Sequence, residues 1–166
     1  QLFSIVTASR LATEKHVDWL VKAVIKLHET FPQVTFDIYG KGGEEGKISQ
    51  IIKDNQVEQY VHLRGHQQLT DVYQNYELYL SGSKSEGFGL TLLEAVGAGL
   101  PLIGFDVPYG NQTFIRDGEN GYLIPPFETD DAAAIVSAFV DKLTQFFAMA
   151  DKTAFHETSY KLAEVY

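Results

Sequence analysis

The sequence predicts a doubly wound α/β domain: a parallel, Rossmann-like sheet with helices on both faces, three layers in all. Three observations point there. Short apolar runs alternate along the whole chain with segments whose apolar residues recur at helical spacing. Brief apolar runs such as Phe3 to Ala8 and Leu78 to Leu80 have the character of buried strands. Glycines crowd between Gly82 and Gly121, and such a cluster marks tight turns or close approach of the backbone to a ligand. In folds of this class ligands bind beyond the carboxyl ends of the strands, near the point where strand order reverses. The segments that follow strands are therefore the ones to search.

Phe3 to Ala8 reads as the first strand, and Thr13 as the cap of a helix whose inward stripe is Val17, Leu20, Val21, Val24, Leu27 and Phe31, running to Pro32. Val34 to Tyr39 is the second strand, stopped by Gly40-Lys41-Gly42-Gly43. A helix over Glu45 to Asn55 turns Ile48, Ile51 and Ile52 inward, and Tyr60 to Leu63 forms a third strand ending at Arg64-Gly65-His66. Leu69 to Tyr76 is expected to be a short helix and Leu78 to Leu80 a fourth strand. A loop from Ser81 to Gly89 leads into a helix over Leu90 to Gly99, and Pro101 opens the fifth strand, Leu102 to Phe105. Gly118 to Gly121 is a turn before a last strand, Tyr122 to Ile124. Asp130 or Asp131 starts a long helix with the stripe Ile135, Val136, Phe139, Val140, Leu143 and Phe147, and Thr153 to Tyr166 forms an amphipathic terminal helix.

A chain of 166 residues suits a single domain over 1–166 with a real core. It opens on a strand without an initial Met, which predicts a piece of a longer protein. No apolar run approaches the ~20 residues of a membrane span. The absence of Cys excludes disulfides, thiolate metal sites and a Cys nucleophile, and is compatible with the cytoplasm. A net charge of −9 argues against nucleic-acid binding, although two or three local cations and a helix N-terminus can still hold one phosphate group.

Several phosphate chemistries fail on spacing. Thr7-Ala8-Ser9-Arg10-Leu11 after the first strand lacks the glycines of a dinucleotide fingerprint, and Gly46-Lys47-Ile48 lacks the Ser or Thr of a nucleoside-triphosphate loop. No His pair or carboxylate cluster has metal-ligand spacing. What remains is Glu86-Gly87-Phe88-Gly89-Leu90-Thr91 running into a helix that carries Glu94. A glycine turn at a helix start offers free amides to an anion, and the two flanking carboxylates read either as a catalytic pair or as two grips on one ligand.

Four pieces occur in order: Ser9-Arg10-Leu11 with Lys15; Tyr39-Gly40-Lys41-Gly42; Glu86-Gly87-Phe88-Gly89 with Glu94; and Asp117-Gly118-Glu119-Asn120-Gly121-Tyr122-Leu123-Ile124. Together they resemble the C-terminal, donor-binding half of a family 4 retaining glycosyltransferase with the two-domain GT-B fold. Gly104 to Gln112 is closer in wording to bacterial enzymes that glycosylate wall teichoic acid or serine-rich adhesins. The resemblance implies catalytic roles for Arg10, Lys15 and Glu86. Arg10, Lys15, Leu90 and Thr91 would hold the diphosphate of a UDP-sugar, UDP-glucose or UDP-N-acetylglucosamine. Glu86, Gly87, Phe88 and Gly89 would hold the sugar and Glu94 the ribose. Gly42, with Lys41, and Arg64 would lie on the base side, and Tyr109-Gly110-Asn111 near the sugar or acceptor. The resemblance further implies no metal or other cofactor, and a glycan, teichoic-acid or glycoprotein acceptor bound by an N-terminal domain absent from this chain. It implies a cytoplasmic enzyme, peripheral at the inner membrane face. A silent nucleotide-binding scaffold and a sugar-nucleotide epimerase are the competing readings. Two departures stand out: Ser9 where the family usually has Gly before the Arg, and His16 where it often has Gly after the Lys.

Overall fold

The structure is a computed structural model and describes residues 2–84 and 90–166. Six parallel strands, β1 (Ser4–Ala8), β2 (Thr35–Tyr39), β3 (Val61–Gly65), β4 (Leu78–Leu80), β5 (Leu102–Phe105) and β6 (Gly121–Ile124), form one sheet in the order β3-β2-β1-β4-β5-β6. This is the doubly wound order, with its reversal between β1 and β4. The expected fold class holds.

The two faces of the sheet sort the side chains by strand parity. Ile5, Phe36, Ile38, Leu80, Ile103 and Phe105 point into one core, which α1 (Val17–His28), α2 (Glu45–Asp54) and α5 (Ala132–Ala148) cover. Val6, Ala8, Tyr39, Tyr79 and Leu102 point into the other, against α3 (Leu90–Gly97) and α4 (Gly110–Phe114). β1 lies between β2 and β4, so all five of its residues are buried. α6 (Thr153–Val165) leaves α5 at 108° and crosses between the layers: Phe155 joins the first core and Ala163 packs on the second. No helix among the described residues is long and apolar enough by itself to cross a membrane.

Three expectations change. Thr13 caps nothing; it opens a 3₁₀ turn, Thr13–Lys15, and α1 starts only after His16. α1 ends at His28, short of Pro32, and Phe31 packs beyond it against Phe3 and Phe147. The segment from Leu69 makes a turn and then a 3₁₀ turn, Tyr73–Asn75, in place of the expected α-helix. After β5 the chain forms one further short helix, Gly110–Phe114, for which no element was expected. The long helix is as expected, with Asp131 as its cap accepting from the Ala134 amide, though Val140 is only half-buried and Phe146, absent from the expected stripe, is fully buried.

Candidate donor site at the carboxyl ends of the strands

The loops after β1, β2 and β3 are laced together by main-chain hydrogen bonds. Ser9 N donates to Tyr39 O (3.1 Å), Leu11 N to Lys41 O (2.9 Å), Glu44 N to Leu11 O (2.8 Å) and Gly40 N to Gly65 O (2.9 Å). This lacing explains Gly40 and Gly42. Gly40 sits at φ 132°, and a Cβ there would lie 1.8 Å from the Ser9 carbonyl oxygen; at Gly42 it would lie 2.4 Å from that of Leu11. Gly42, expected on the base side, is thus a packing residue that lets two loops touch.

A cavity of about 400 Å³ opens above this lacing. β1 contributes Ala8, and the residues after it Ser9 and Arg10; the end of β2 contributes Tyr39, Gly40 and Lys41; the segment after β3 contributes His66 and Gln67, and α3 contributes Thr91. Arg10 is 72% exposed and its guanidinium reaches Glu14 Oε1 at 3.1 Å. The lining is rich in groups that bear or can bear positive charge, in a chain of net charge −9. Local fields of this kind favour an anion whatever the sign of the whole molecule.

Lys15 stands on the other side of Ser9. It lines a narrow crevice with Thr7, Tyr79 and Ser81 to Ser83, between the ends of β1 and β4. Arg10 and Lys15 therefore flank β1, with Lys15 at the point where strand order reverses and Arg10 on the β2 side. Gly82 belongs to the same design, since a Cβ there would meet the Lys15 and His16 carbonyl oxygens at 2.8 and 2.9 Å.

His16 explains one departure from the family pattern. It adopts a left-handed conformation (φ 49°), which glycine reaches most easily. Its ring stacks on Trp19 at 3.7 Å, a contact glycine lacks. Burial is the main cause that holds its imidazole below the usual histidine range. Lys84, in the segment after β4, lies over the rings of Trp19 and Phe105 and reaches Asp130 at 2.9 Å.

Glu86, Gly87, Phe88 and Gly89 lie outside the described residues. Thr91 reaches the cavity, whereas Leu90 is 68% exposed and does not line it. Glu94 is one turn further along α3. It lines a separate shallow depression of about 330 Å³ with Thr70, Gln74, Gly97, Ala98 and Tyr160. Arg64 is not in the cavity. β3 runs on to Gly65, so Arg64 belongs to the strand, and its side chain lies across the sheet to Asp37 Oδ2 at 3.3 Å. Asp37 also meets His62 Nδ1 at 2.8 Å and accepts from Tyr76 Oη at 2.5 Å, and Tyr76 in turn meets Tyr39 Oη at 2.8 Å. Burial first, and then the Asp37 carboxylate, push the Tyr76 phenol well above its ordinary range. Asn111 is buried, its amide donating to Phe105 O at 2.9 Å, while Tyr109 is 73% exposed. Of that trio only Tyr109 is presented to solvent.

The Asp117-to-Ile124 stretch is structural. Asp117 accepts from Leu123 N at 2.8 Å, Asn120 bridges Arg116 N and Phe114 O, and a Cβ on Gly121 would strike the Leu102 carbonyl oxygen at 1.7 Å. Sequence reasoning gave no site role to Ser9, Tyr39, His66 or Gln67; their position at or just past strand ends was the available signal. Among the described residues no group of three His, Asp or Glu is arranged to hold a metal ion.

With that geometry in place, the family model described as "Glycosyl transferases group 1" matches residues 3–144. The chain belongs to this family. A relative in Streptococcus pneumoniae named UDP-N-acetylglucosamine--peptide N-acetylglucosaminyltransferase GtfA subunit is 56% identical over 162 residues, covering 98% of this chain and 32% of that protein. The Bacillus subtilis poly(glycerol-phosphate) alpha-glucosyltransferase is 33% identical over 99% of this chain and 24% of that protein. Among solved structures, the pneumococcal O-GlcNAc transferase GtfA in complex with UDP and GlcNAc superposes with a TM-score of 0.97 at 55% identity, over 99% of this chain and 32% of that one. The chain thus spans about a third of the length of these streptococcal relatives.

Proposed function

We propose that this chain is the donor-binding, C-terminal domain of a GT-B, family 4 retaining hexosyltransferase that takes UDP-N-acetylglucosamine and transfers the sugar to a protein acceptor. The observation that carries the reading is the cavity at the carboxyl ends of β1 to β3, lined by Arg10, Lys41 and His66 and closed on one side by Thr91 of α3. The relative of 56% identity, whose name specifies this sugar nucleotide and a peptide, supports the choice of donor and acceptor class.

Arg10 and Lys15 approach the diphosphate from the two sides of Ser9. As the glycosidic bond breaks, the diphosphate gains negative charge, and fixed cations stabilise it more then than in the ground state. Each such contact contributes about 2–4 kcal/mol to the transition state. These side chains and the amides at the start of α3 take the place of a metal ion. Glu86 grips hydroxyls of the transferred sugar and Glu94 those of the ribose. The acceptor sits on a domain outside this chain, so the chain alone binds donor without transferring it. The enzyme works in the cytoplasm, peripheral at the inner membrane face. A second reading, transfer of glucose to a poly(glycerol-phosphate) acceptor, is favoured by the more distant B. subtilis relative.

Calorimetric titration of the intact protein with UDP and with UDP-N-acetylglucosamine tests the proposal. Saturable binding at micromolar concentration is expected, with a product linkage that retains the anomeric configuration by NMR. Absence of binding at millimolar UDP overturns it.

A further inference from the structure

Tyr73 carries a hydroxyl that the fold leaves unpartnered. The residue is 1% exposed and its oxygen makes no hydrogen bond. Its ring stands edge-on to that of Tyr79, centroids 5.9 Å apart. The Tyr79 hydroxyl in the same core is satisfied, donating to Ala8 O at 2.8 Å. Ala8 lines the cavity, so the Tyr79 phenol is tied to its wall and Tyr73 packs against that phenol. Phenylalanine at position 73 would fill the same space without desolvating a hydroxyl. Buried groups without partners are rare and ask for a reason.

The nearest reason is Glu94. Thr70 and Gln74, which flank Tyr73 in the chain, line the same depression as Glu94. The Glu94 carboxylate is exposed and makes no hydrogen bond or ion pair among the described residues. The Tyr73 phenol already senses it: burial raises the pKa most, and Tyr79 and Glu94 raise it further. A carboxylate has acceptor sites to spare, enough for two ribose hydroxyls and a phenol at once.

We propose that Tyr73 is a positioning residue for donor binding, its buried hydroxyl donating to the Glu94 carboxylate when that carboxylate turns to hold the ribose. This rests on the assignment of Glu94 to the ribose made above. An unpartnered hydroxyl weakens the free protein, and the donor-bound state supplies the partner. Stability and affinity should therefore respond in opposite senses when the hydroxyl is removed.

The test is UDP titration by calorimetry on the intact protein, as wild type, Tyr73→Phe, Glu94→Ala and the double variant, with thermal melts of each without ligand. Tyr73→Phe is expected to weaken UDP binding about tenfold, as loss of a hydrogen bond to a charged group does. Its melting temperature should be unchanged or higher. In the Glu94→Ala background the same change should leave affinity untouched. The proposal is overturned if Tyr73→Phe binds UDP like wild type while Glu94→Ala does not, if the two losses simply add, or if Tyr73→Phe lowers the melting temperature by several degrees. Should Glu94→Ala itself bind UDP normally, the ribose assignment fails instead.

Discussion

Arg10 and Arg64 look alike in the sequence. Each stands at or just past the end of an apolar strand, in the loops where a fold of this kind places its ligand. The structure separates them. Arg10 follows β1 by two residues and lines the cavity, 72% exposed, with Glu14 as its ion-pair partner among the described residues. Arg64 is still inside β3, and its guanidinium lies on Asp37 of the neighbouring strand, whose side chain is 13% exposed. One residue of strand length and one carboxylate on the adjacent strand decide which cation is available to a ligand. Asp37 is what converts Arg64 from a candidate contact into a strand-pairing residue.

Substituting the two arginines in turn is the strongest way to break the comparison. Arg10→Ala is expected to weaken UDP binding and transfer together by about 100-fold while leaving stability within about 0.5 kcal/mol, since it removes a charge from the site and little packing. Arg64→Ala should leave UDP affinity within about twofold and cost about 1 kcal/mol or less of stability, as exposed ion pairs do. Equal losses of affinity from both variants, measured by calorimetry and a transfer assay, would erase the distinction. Removing the carboxylate sharpens it from the other side. Asp37→Ala leaves the Tyr76 hydroxyl, His62 and Arg64 without their shared acceptor and should destabilise by about 1–3 kcal/mol in chemical denaturation. The smallest effect belongs to His16, the residue next to Lys15. Burial lowers its pKa in the fold, with Lys84 adding to the shift and Asp130, Asp18 and Glu14 opposing it. The fold therefore prefers the neutral ring. Its contribution to stability is complete above the unfolded value of about 6.5 and is lost as pH falls from there through the lower folded value. An imidazole titration by NMR should show a midpoint below about 6.5, and a midpoint above it would contradict the burial of the ring against Trp19.

Much of the fold was legible because burial writes itself into apolar runs. Ile5, Val6, Ile103 and Phe105 mark β1 and β5 without help, and Val17 to Leu27 marks α1. What was not legible depends on facts a local reading does not contain. Arg64 needed the register that sets Asp37 opposite His62 and so on the face of Arg64. Gly42 reads as a ligand glycine until the Leu11 backbone is seen behind it. Lys15 and Arg10 were assigned to one diphosphate, and only the sheet order shows that the openings they line lie on opposite sides of β1. Glu94 was expected on the helix after the glycine turn, as observed, but the depression it shares with Thr70 and Gln74 comes from a segment expected to be an ordinary helix.

The glycine lacing of the first two loops also governs how this site can change in descent or by design. Gly40 and Gly42 leave no room for a side chain, so their loop can neither lengthen nor diversify without parting from Ser9 and Leu11. His66, Gln67 and Leu69 carry no such constraint, although Gly65, at the root of that wall, has a φ of 77° that favours glycine. Variation in nucleotide preference among relatives is therefore expected to be written in that wall, and a library aimed at a new donor should randomise His66 and Gln67 before it touches the glycines.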